Sequence, residues 1–186
     1  MKRLIGLLLV VTLLTGCNKS TSAMDQALKF RDLLLRSGSG TFDAVITADF
    51  GDILHVFKMN CQWDSSDNMK FCVLEPETIA GVSGIIYQNN GKITFDDKAL
   101  LFDTMADGSI SPVNAPWVVL LAMRSGYIKG AGSNPDGCII QLNDSYKENA
   151  LNVNLQINDD CIPAFAEIFY DGRRVVSINF ENFTML

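Results

Sequence analysis

Ala115-Pro116-Trp117-Val118-Val119-Leu120-Leu121-Ala122-Met123 is the stretch that decides how this chain can fold. Ser111-Pro112 precedes it as a helix cap and first helical position, and Gly126 follows at a position typical of a helix end. The predicted helix is apolar on every side, so it must be covered on every side. A single flat sheet face covers only half of a helix. The simplest solution is a curled sheet that holds the helix in its concave mouth.

An apolar interior that is partly lined by a helix is suited to a hydrophobic ligand. The side chains that we expect to line such a ligand site are Trp117, Leu120 and Leu121. In the alternative interpretation, side chains fill the space completely, and Trp117 and Leu121 are ordinary core residues. The sequence leaves both interpretations open.

Most of the remaining chain has the period of two that is typical of strands. In one predicted strand, Phe57, Met59, Cys61 and Trp63 share a face. The predicted strands cover residues 41–49, 53–62, 68–74, 83–89, 92–95, 99–104, 138–143, 151–157, 163–170 and 173–180.

Tight turns join most of these strands. Asn90-Gly91 and Asp171-Gly172 are signatures of two-residue hairpin turns. About ten strands joined in this way predict a mainly β (α+β) fold, which is a strongly curled antiparallel sheet or an unclosed β-barrel. An N-terminal helix and the apolar helix plug its mouth.

The N-terminal helix is indicated by helical spacing after residue 22. Ser22 with Asp25 resembles a capping box, and Gly38 is a natural stop. The predicted apolar side consists of Met24, Ala27, Leu28, Leu34 and Leu35, and the charged side of Lys29, Arg31, Asp32 and Arg36. These mixed charges favour packing on the chain's own domain over lying on a membrane.

The first residues have the pattern of an export signal: Met1-Lys2-Arg3, an apolar run over residues 4–14, then Leu14-Thr15-Gly16-Cys17. The last four look like a bacterial lipobox, in which the cysteine is lipidated and becomes the first residue. We therefore expect a lipoprotein signal peptide at 1–16, a lipidated tether at 17–23 and a single domain at 24–186. Acyl chains on Cys17 would hold the protein on a membrane. A plain secretory signal with a chance cysteine is the alternative.

Four further cysteines predict two disulfides in an exported chain. A four-residue tip over Ser65-Ser66-Asp67-Asn68 would place Trp63 opposite Lys70 and Cys61 opposite Cys72. The remaining pair is then Cys138 with Cys161. A zinc site is the competing interpretation, but no C-x-x-C pair is present and His55 is the only histidine.

The charge of the chain excludes some classes of partner. Without Lys2 and Arg3, 13 of the 15 basic residues remain against 21 acidic ones, which gives the mature chain a formal charge of −8. This balance argues against nucleic acid and against electrostatic docking on anionic lipid.

Sequence motifs for catalysis are missing, so we expect no enzyme, no cofactor and no metal. There is no G-x-S-x-G, phosphate loop or metalloprotease pair. His55 stands alone in a strand. Asp96-Asp97 and Asp103 with Asp107 lack the closing glutamate of a calcium loop.

The C-terminal hairpin carries a family resemblance. Pro163-Ala164-Phe165-Ala166-Glu167-Ile168-Phe169-Tyr170-Asp171-Gly172-Arg173, followed by Ile178-Asn179-Phe180-Glu181-Asn182-Phe183, looks like the last strands of the LolA/LolB-like family of outer-membrane lipoprotein carriers and receptors. The resemblance implies an unclosed barrel whose cavity holds acyl chains. The predicted lipid anchor brings this chain closer to the receptor type than to the soluble carrier.

These observations predict a lipid-anchored protein on the extracytoplasmic side of the cell membrane or outer membrane. It would bind a lipid or the acyl chain of a lipoprotein in an apolar cavity. The alternative is a non-catalytic scaffold that holds an envelope partner or forms a homodimer. In the loop at 76–82, Ile79 or Val82 would contact the membrane or ligand, or the loop would tuck over the barrel mouth.

Overall fold

The computed structural model describes residues 22–66, 68–87, 94–95, 105–106, 108–145 and 150–186. Two helices are present in this part of the chain, α1 (Ala23–Arg36) and α2 (Ala115–Ser125). The strands are β1 (Gly40–Asp49), β2 (Leu54–Trp63), β3 (Asn68–Glu75), β4 (Ser83–Tyr87), β5 (Thr94–Phe95), β6 (Tyr127–Asn134), β7 (Gly137–Asn143), β8 (Asn152–Ile157), β9 (Pro163–Tyr170) and β10 (Arg173–Met185).

All ten strands belong to one antiparallel sheet with the order β5-β4-β3-β2-β1-β10-β9-β8-β7-β6. Two meanders, β1 to β5 and β6 to β10, meet where β1 pairs with β10. The outer strands β5 and β6 do not pair with each other in the described residues, so the sheet is unclosed there. The predicted mainly β architecture, an unclosed antiparallel sheet with two helices, is confirmed.

One face of this sheet is buried. Burial alternates along β1, and the predicted shared face of β2 is confirmed because Phe57, Met59, Cys61 and Trp63 are all buried. The buried residues of the strands and both helices form one continuous core cluster. Because a single-sided sheet of ten strands encloses one core together with two helices, it must wrap around them.

A β-bulge lies at the central strand pair. The register between β1 and β10 shifts between Thr41 and Asp43, opposite Asn182. Asn182 has φ +53°, a left-handed conformation that asparagine tolerates, and its Nδ2 donates to Asp43 at 2.9 Å. The Asn60 side chain also donates to this carboxylate, and these hydrogen bonds lower the pKa of Asp43. A bulge increases local twist, which favours the curl of the sheet.

Most predicted strands are present, and the last hairpin turns at Asp171 and Gly172, both with positive φ. Strand β6 was not predicted, because its small residues, including Gly130 and Gly132, show no apolar alternation. The predicted strand at 99–104 and the turn at Asn90-Gly91 lie outside the described residues, as do residues 1–21 with Cys17.

The capping box of α1 is confirmed, since Ser22 Oγ accepts from Asp25 N at 3.1 Å and Asp25 Oδ2 from Ser22 N at 3.2 Å. The helix begins at Ala23, so it includes the last residue of the expected tether. The predicted apolar side is only partly right. Ala27 and Leu34 are buried, together with Phe30, whereas three of the predicted residues are exposed: Met24, Leu28 and Leu35. The buried row therefore consists of Ala27, Phe30 and Leu34, which are spaced at i, i+3 and i+7 and pack on the core.

The start of α2 differs from the prediction. Ser111 does not cap the helix; it forms a turn with Asn114, whose Oδ1 accepts from Ser111 N at 3.0 Å. Asn114 is the N-cap residue, and Pro116 occupies the first turn. The end of the helix at Gly126 is as predicted, since Gly126 N donates to Ala122 O at 2.8 Å.

The predicted disulfide between Cys61 and Cys72 is wrong. Trp63 pairs with Met69, and Cys61 pairs with Phe71, one residue away from the predicted register. The turn is tighter than expected, because Asp64 Oδ1 accepts from Ser66 N at 2.8 Å and Asp64 N donates to Asn68 O. A one-residue shift moves a side chain to the other sheet face, so Cys61 is buried while Cys72 lies on the outer side.

The predicted bond between Cys138 and Cys161 is also not formed, and both cysteines are free and buried. The Cys138 thiol instead donates to the carbonyl oxygen of Ala23 at 3.3 Å, which ties the first residue of α1 to β7. Burial raises the pKa of the Cys138 thiol, and the neighbouring Cys161 adds to this effect. A protonated thiol suits its role as a hydrogen-bond donor.

Candidate functional site

The candidate site is the interface between the buried sheet face and α2. This helix contacts α1 and strands β6 to β9. It is covered on nearly every side, as its composition predicted, with Val118 and Leu121 as the half-buried apolar residues. Its buried residues are Ala115, Pro116, Trp117, Val119, Leu120, Ala122 and Met123. Of the predicted ligand-binding residues, Trp117 and Leu120 therefore lie in the interior, and Leu121 lies at its margin.

Trp117 carries a buried donor without an acceptor. Its side chain is almost fully buried, and its Nε1 has no hydrogen-bond partner. The Nε1 of Trp63 is also unpaired, but that indole packs between Phe42 and Phe183, with ring centroids at 5.9 and 5.3 Å. A buried N–H that loses water without gaining an acceptor is unfavourable. The Trp117 indole N–H is thus a buried donor without an acceptor.

Arg31 joins the two helices. Its Nε donates to the carbonyl oxygen of Met123 at 2.6 Å, and one terminal nitrogen donates to Gly126 O at 2.8 Å and Ala122 O at 3.4 Å. These acceptors are carbonyls at the C-terminal end of α2, where the helix no longer supplies enough donors of its own. Ala122 O also accepts from Gly126 N. We call this set of hydrogen bonds the Arg31 latch.

The electrostatics of the latch are favourable. The C-terminal end of a helix carries a partial negative charge, so a guanidinium at that place stabilises the helix. Partial burial lowers the pKa of Arg31, but an arginine side chain stays protonated in proteins. Helical spacing predicts Arg31 on the charged side of α1, away from the core. Arg31 lies four residues after the buried Ala27, and residues at this spacing are neighbours on a helix. This spacing could have indicated that Arg31 borders the buried side of α1.

The loop with Ile79 and Val82 lies against the core. Val82 is buried, and Ile79 is half-buried against the core cluster. Val73 N donates to Val82 O at 2.8 Å, and Gly81 N donates to Val73 O at 2.9 Å, so the loop folds back onto β3. The structure therefore places both residues in the tucked arrangement, against the core.

Other candidate groups have structural roles. His55 is exposed and makes an edge contact with the Phe50 ring, with the centroids at 5.4 Å. Within the described ranges, no group of three or more His, Cys, Asp or Glu residues could hold a metal ion. No helix in the same ranges is long and apolar enough to cross a bilayer.

Comparisons with known proteins find similarity among solved structures alone. No family model matches the chain, and no curated protein matches it. The chain is similar to an uncharacterized conserved protein from Thermus thermophilus, with 10% identity over 86% of this chain and 87% of that chain, at a TM-score of 0.46. It is also similar to a LolA superfamily protein from Nitrosomonas europaea, with 10% identity over 90% and 94% of the two chains and a TM-score of 0.42.

A third similar structure is the MucA/MucB complex of Pseudomonas aeruginosa, with 10% identity over 84% of this chain and 56% of that chain, at a TM-score of 0.40. The Nitrosomonas protein carries the name of the family that the sequence resembles.

Proposed function

We propose that this protein is a lipid-anchored envelope lipoprotein that binds a lipid, or the acyl chain of a lipoprotein, between α2 and the concave sheet face. The observation that carries the proposal is the buried, unpaired Nε1–H of Trp117 in an otherwise apolar interior. Hydrocarbon would contact Leu120 and the inward strand residues. A carbonyl oxygen of the ligand would accept from the indole.

Ligand entry would require the helices to move away from the sheet, because the buried residues of α1 and α2 belong to the same core cluster as the strands. The Arg31 latch holds this arrangement, the closed state, through polar contacts between the two helices. The proposed cycle is release of the latch, entry of the acyl chain and closure. No step in it is catalytic.

The lipid anchor at Cys17 is part of the same proposal. The signal pattern at 1–16 and the acidic mature chain support attachment through acyl chains, since electrostatic attraction to anionic lipid is not expected. The anchored protein would face the extracytoplasmic side of the cell membrane or outer membrane. Its ligand source would then be the bilayer or a lipoprotein that leaves it.

The Trp117→Phe variant tests the proposal. Phenylalanine keeps an aromatic ring but removes the N–H donor, so affinity for a fatty-acid methyl ester should fall about fivefold, which corresponds to one hydrogen bond of about 1 kcal/mol. Affinity for an n-alkane of equal length should stay the same. Both are measured with the full chain by displacement of a fluorescent apolar probe, and bound lipid is identified by mass spectrometry after gentle purification.

The matched control is Trp63→Phe, which removes the other unpaired indole donor, located among Phe42 and Phe183. This variant should bind ester and alkane as the wild type does. Equal ester affinity in wild type and Trp117→Phe, or purified protein that carries no lipid and displaces no probe, would contradict the proposed function.

A second candidate function is partner binding through the β1–β2 hairpin, and an exposed apolar patch favours it. Ile53, Leu54 and Val56 have exposed fractions of 58%, 64% and 58%. Strand β3 pairs with β2 only from Lys58 onward, so in the described part of the chain residues 54–56 pair on one side, with β1. An apolar strand segment with a free edge invites pairing with another strand, here that of a second copy.

The double variant Leu54→Ser/Val56→Ser tests this candidate. If the patch joins two copies, the full chain in detergent sediments as a dimer and the double variant as a monomer in analytical ultracentrifugation. Leu28→Ser, which removes an exposed leucine from α1, should leave the dimer intact. A wild-type monomer at all concentrations tested would exclude pairing between copies.

A further inference from the structure

Helix α1 has a second apolar side that the domain leaves uncovered. Met24, Leu28 and Leu35 have exposed fractions of 37%, 50% and 53%. They lie at positions i, i+4 and i+11, which place them on one line along the helix because an α-helix has 3.6 residues per turn. The row with Ala27, Phe30 and Leu34 lies about 100° around the helix and is buried. We call the exposed row the outer stripe of α1.

The chain that precedes α1 limits what can cover the outer stripe. Only residues 18–22 separate Cys17 from Ala23, so even a fully extended connection spans about 20 Å. If Cys17 carries acyl chains, the first turn of α1 stays within that distance of the lipid headgroups.

The charges beside the outer stripe are compatible with neutral lipid. Asp32 and Arg36 form an ion pair of 2.8 Å on the exposed surface of the helix. Arg31 points inward and is engaged by the carbonyls of α2. The exposed side of the helix therefore presents no basic cluster, and the attraction to a membrane has to come from apolar area and the anchor.

We propose that the outer stripe of α1 docks on the lipid bilayer, so that the helix lies in the interface plane with its inner row on the sheet. The inference rests on the proposed lipid anchor at Cys17 and deepens it, because it assigns the surface that the anchored protein turns toward the membrane. Arg31 lies on this helix, so the Arg31 latch would sit next to the bilayer, where an acyl chain enters or leaves.

Site-specific fluorescence tests the docking. In a Cys72→Ser background, which removes the one partly exposed cysteine among the described residues, Leu28→Cys is labelled with the environment-sensitive dye NBD. The lipidated full chain is then reconstituted into phosphatidylcholine vesicles. We expect the emission of the label to shift to shorter wavelength and to be quenched by doxyl groups in the acyl chains, since an interfacial helix inserts its apolar side about 5–10 Å.

The matched controls are Lys29→Cys, an exposed position about 100° around α1 from Leu28, and Leu54→Cys on the exposed β1–β2 hairpin. Both labels should keep the emission seen without vesicles. Quenching at Leu54 in place of Leu28, or no quenching at either, overturns the docking while vesicle flotation of the protein still supports the anchor. Protein that does not float with vesicles at all overturns both the anchor and the docking.

Discussion

Replacing Arg31 by Met is expected to open the helical cover of the sheet. Methionine keeps an unbranched chain of similar reach but cannot donate to the carbonyls of Met123, Gly126 and Ala122. Leaving partly buried acceptors unpaired costs about 2 kcal/mol. We therefore expect the melting temperature to fall by roughly 4–8 °C. Backbone amides of α2 should lose about thirty-fold of their hydrogen-exchange protection, which is the same 2 kcal/mol expressed as an equilibrium ratio.

The same variant should release a bound acyl probe faster, because opening precedes exit in the proposed cycle. Arg36→Met is the matched control on the same helix, since Arg36 is exposed and makes only an i, i+4 pair with Asp32. Exposed pairs of this kind contribute little to stability. In Arg36→Met, the hydrogen-exchange protection of α2 and the release rate of the acyl probe should therefore stay close to those of the wild type. Unchanged protection of α2 in Arg31→Met would show that the latch does not hold the closed state.

Gly40→Ala is expected to give the largest loss of stability. An added Cβ at this first residue of β1 would overlap the Trp63 ring carbons Cη2 and Cζ2 and the carbonyl oxygen of Thr184. The ring cannot move aside easily, because Trp63 is buried beside Phe42 and Phe183. Overpacking of this kind costs about 3 kcal/mol. We expect a melting temperature lower by roughly 6–12 °C, measured by thermal or urea unfolding.

The control is Gly132→Ala in β6, where an added Cβ meets no atom within 4 Å. Its stability should equal or slightly exceed that of the wild type, since alanine reduces the freedom of the unfolded chain. In the double variant Gly40→Ala/Trp63→Leu, the added Cβ no longer overlaps the ring but still overlaps the Thr184 carbonyl oxygen. The loss of stability in the double variant should therefore be smaller than the sum of the losses in the two single variants. Full additivity would argue against the ring contact as the cause.

How far the fold could be predicted depends on the kind of signal. Alternating burial in β2 and the Asp171-Gly172 turn are local, so they were visible in the sequence. The pairing register of β2 with β3 was not visible in the sequence, because a side-chain hydrogen bond at Asp64 selects a turn that is one residue shorter than the predicted one. Strand β6 was missed for a different reason, since its glycines leave no alternation to detect.

The candidate site also has one part that could be predicted from the sequence and one part that could not. The apolar helix with Trp117 and Leu120 could be located, because a helix without a polar side has to be interior. The Arg31 latch could not be predicted from the sequence, because it joins residues about ninety positions apart. Its acceptors are backbone carbonyls, which every residue has, so residue type gives no signal for them. Long-range contacts to main-chain groups become visible only when the two helices are placed together.

The central position of the β1–β10 pair also determines the order of assembly. Each five-strand meander pairs neighbours in the chain, whereas the seam joins residues 40–48 to residues 176–185. During synthesis, β1 would therefore wait with one unsatisfied edge until nearly the whole domain has emerged. Contacts of such long sequence separation fold slowly. This seam is the expected rate-limiting step, and the interval before it closes is when an emerging chain would need chaperone protection against pairing with the wrong strand.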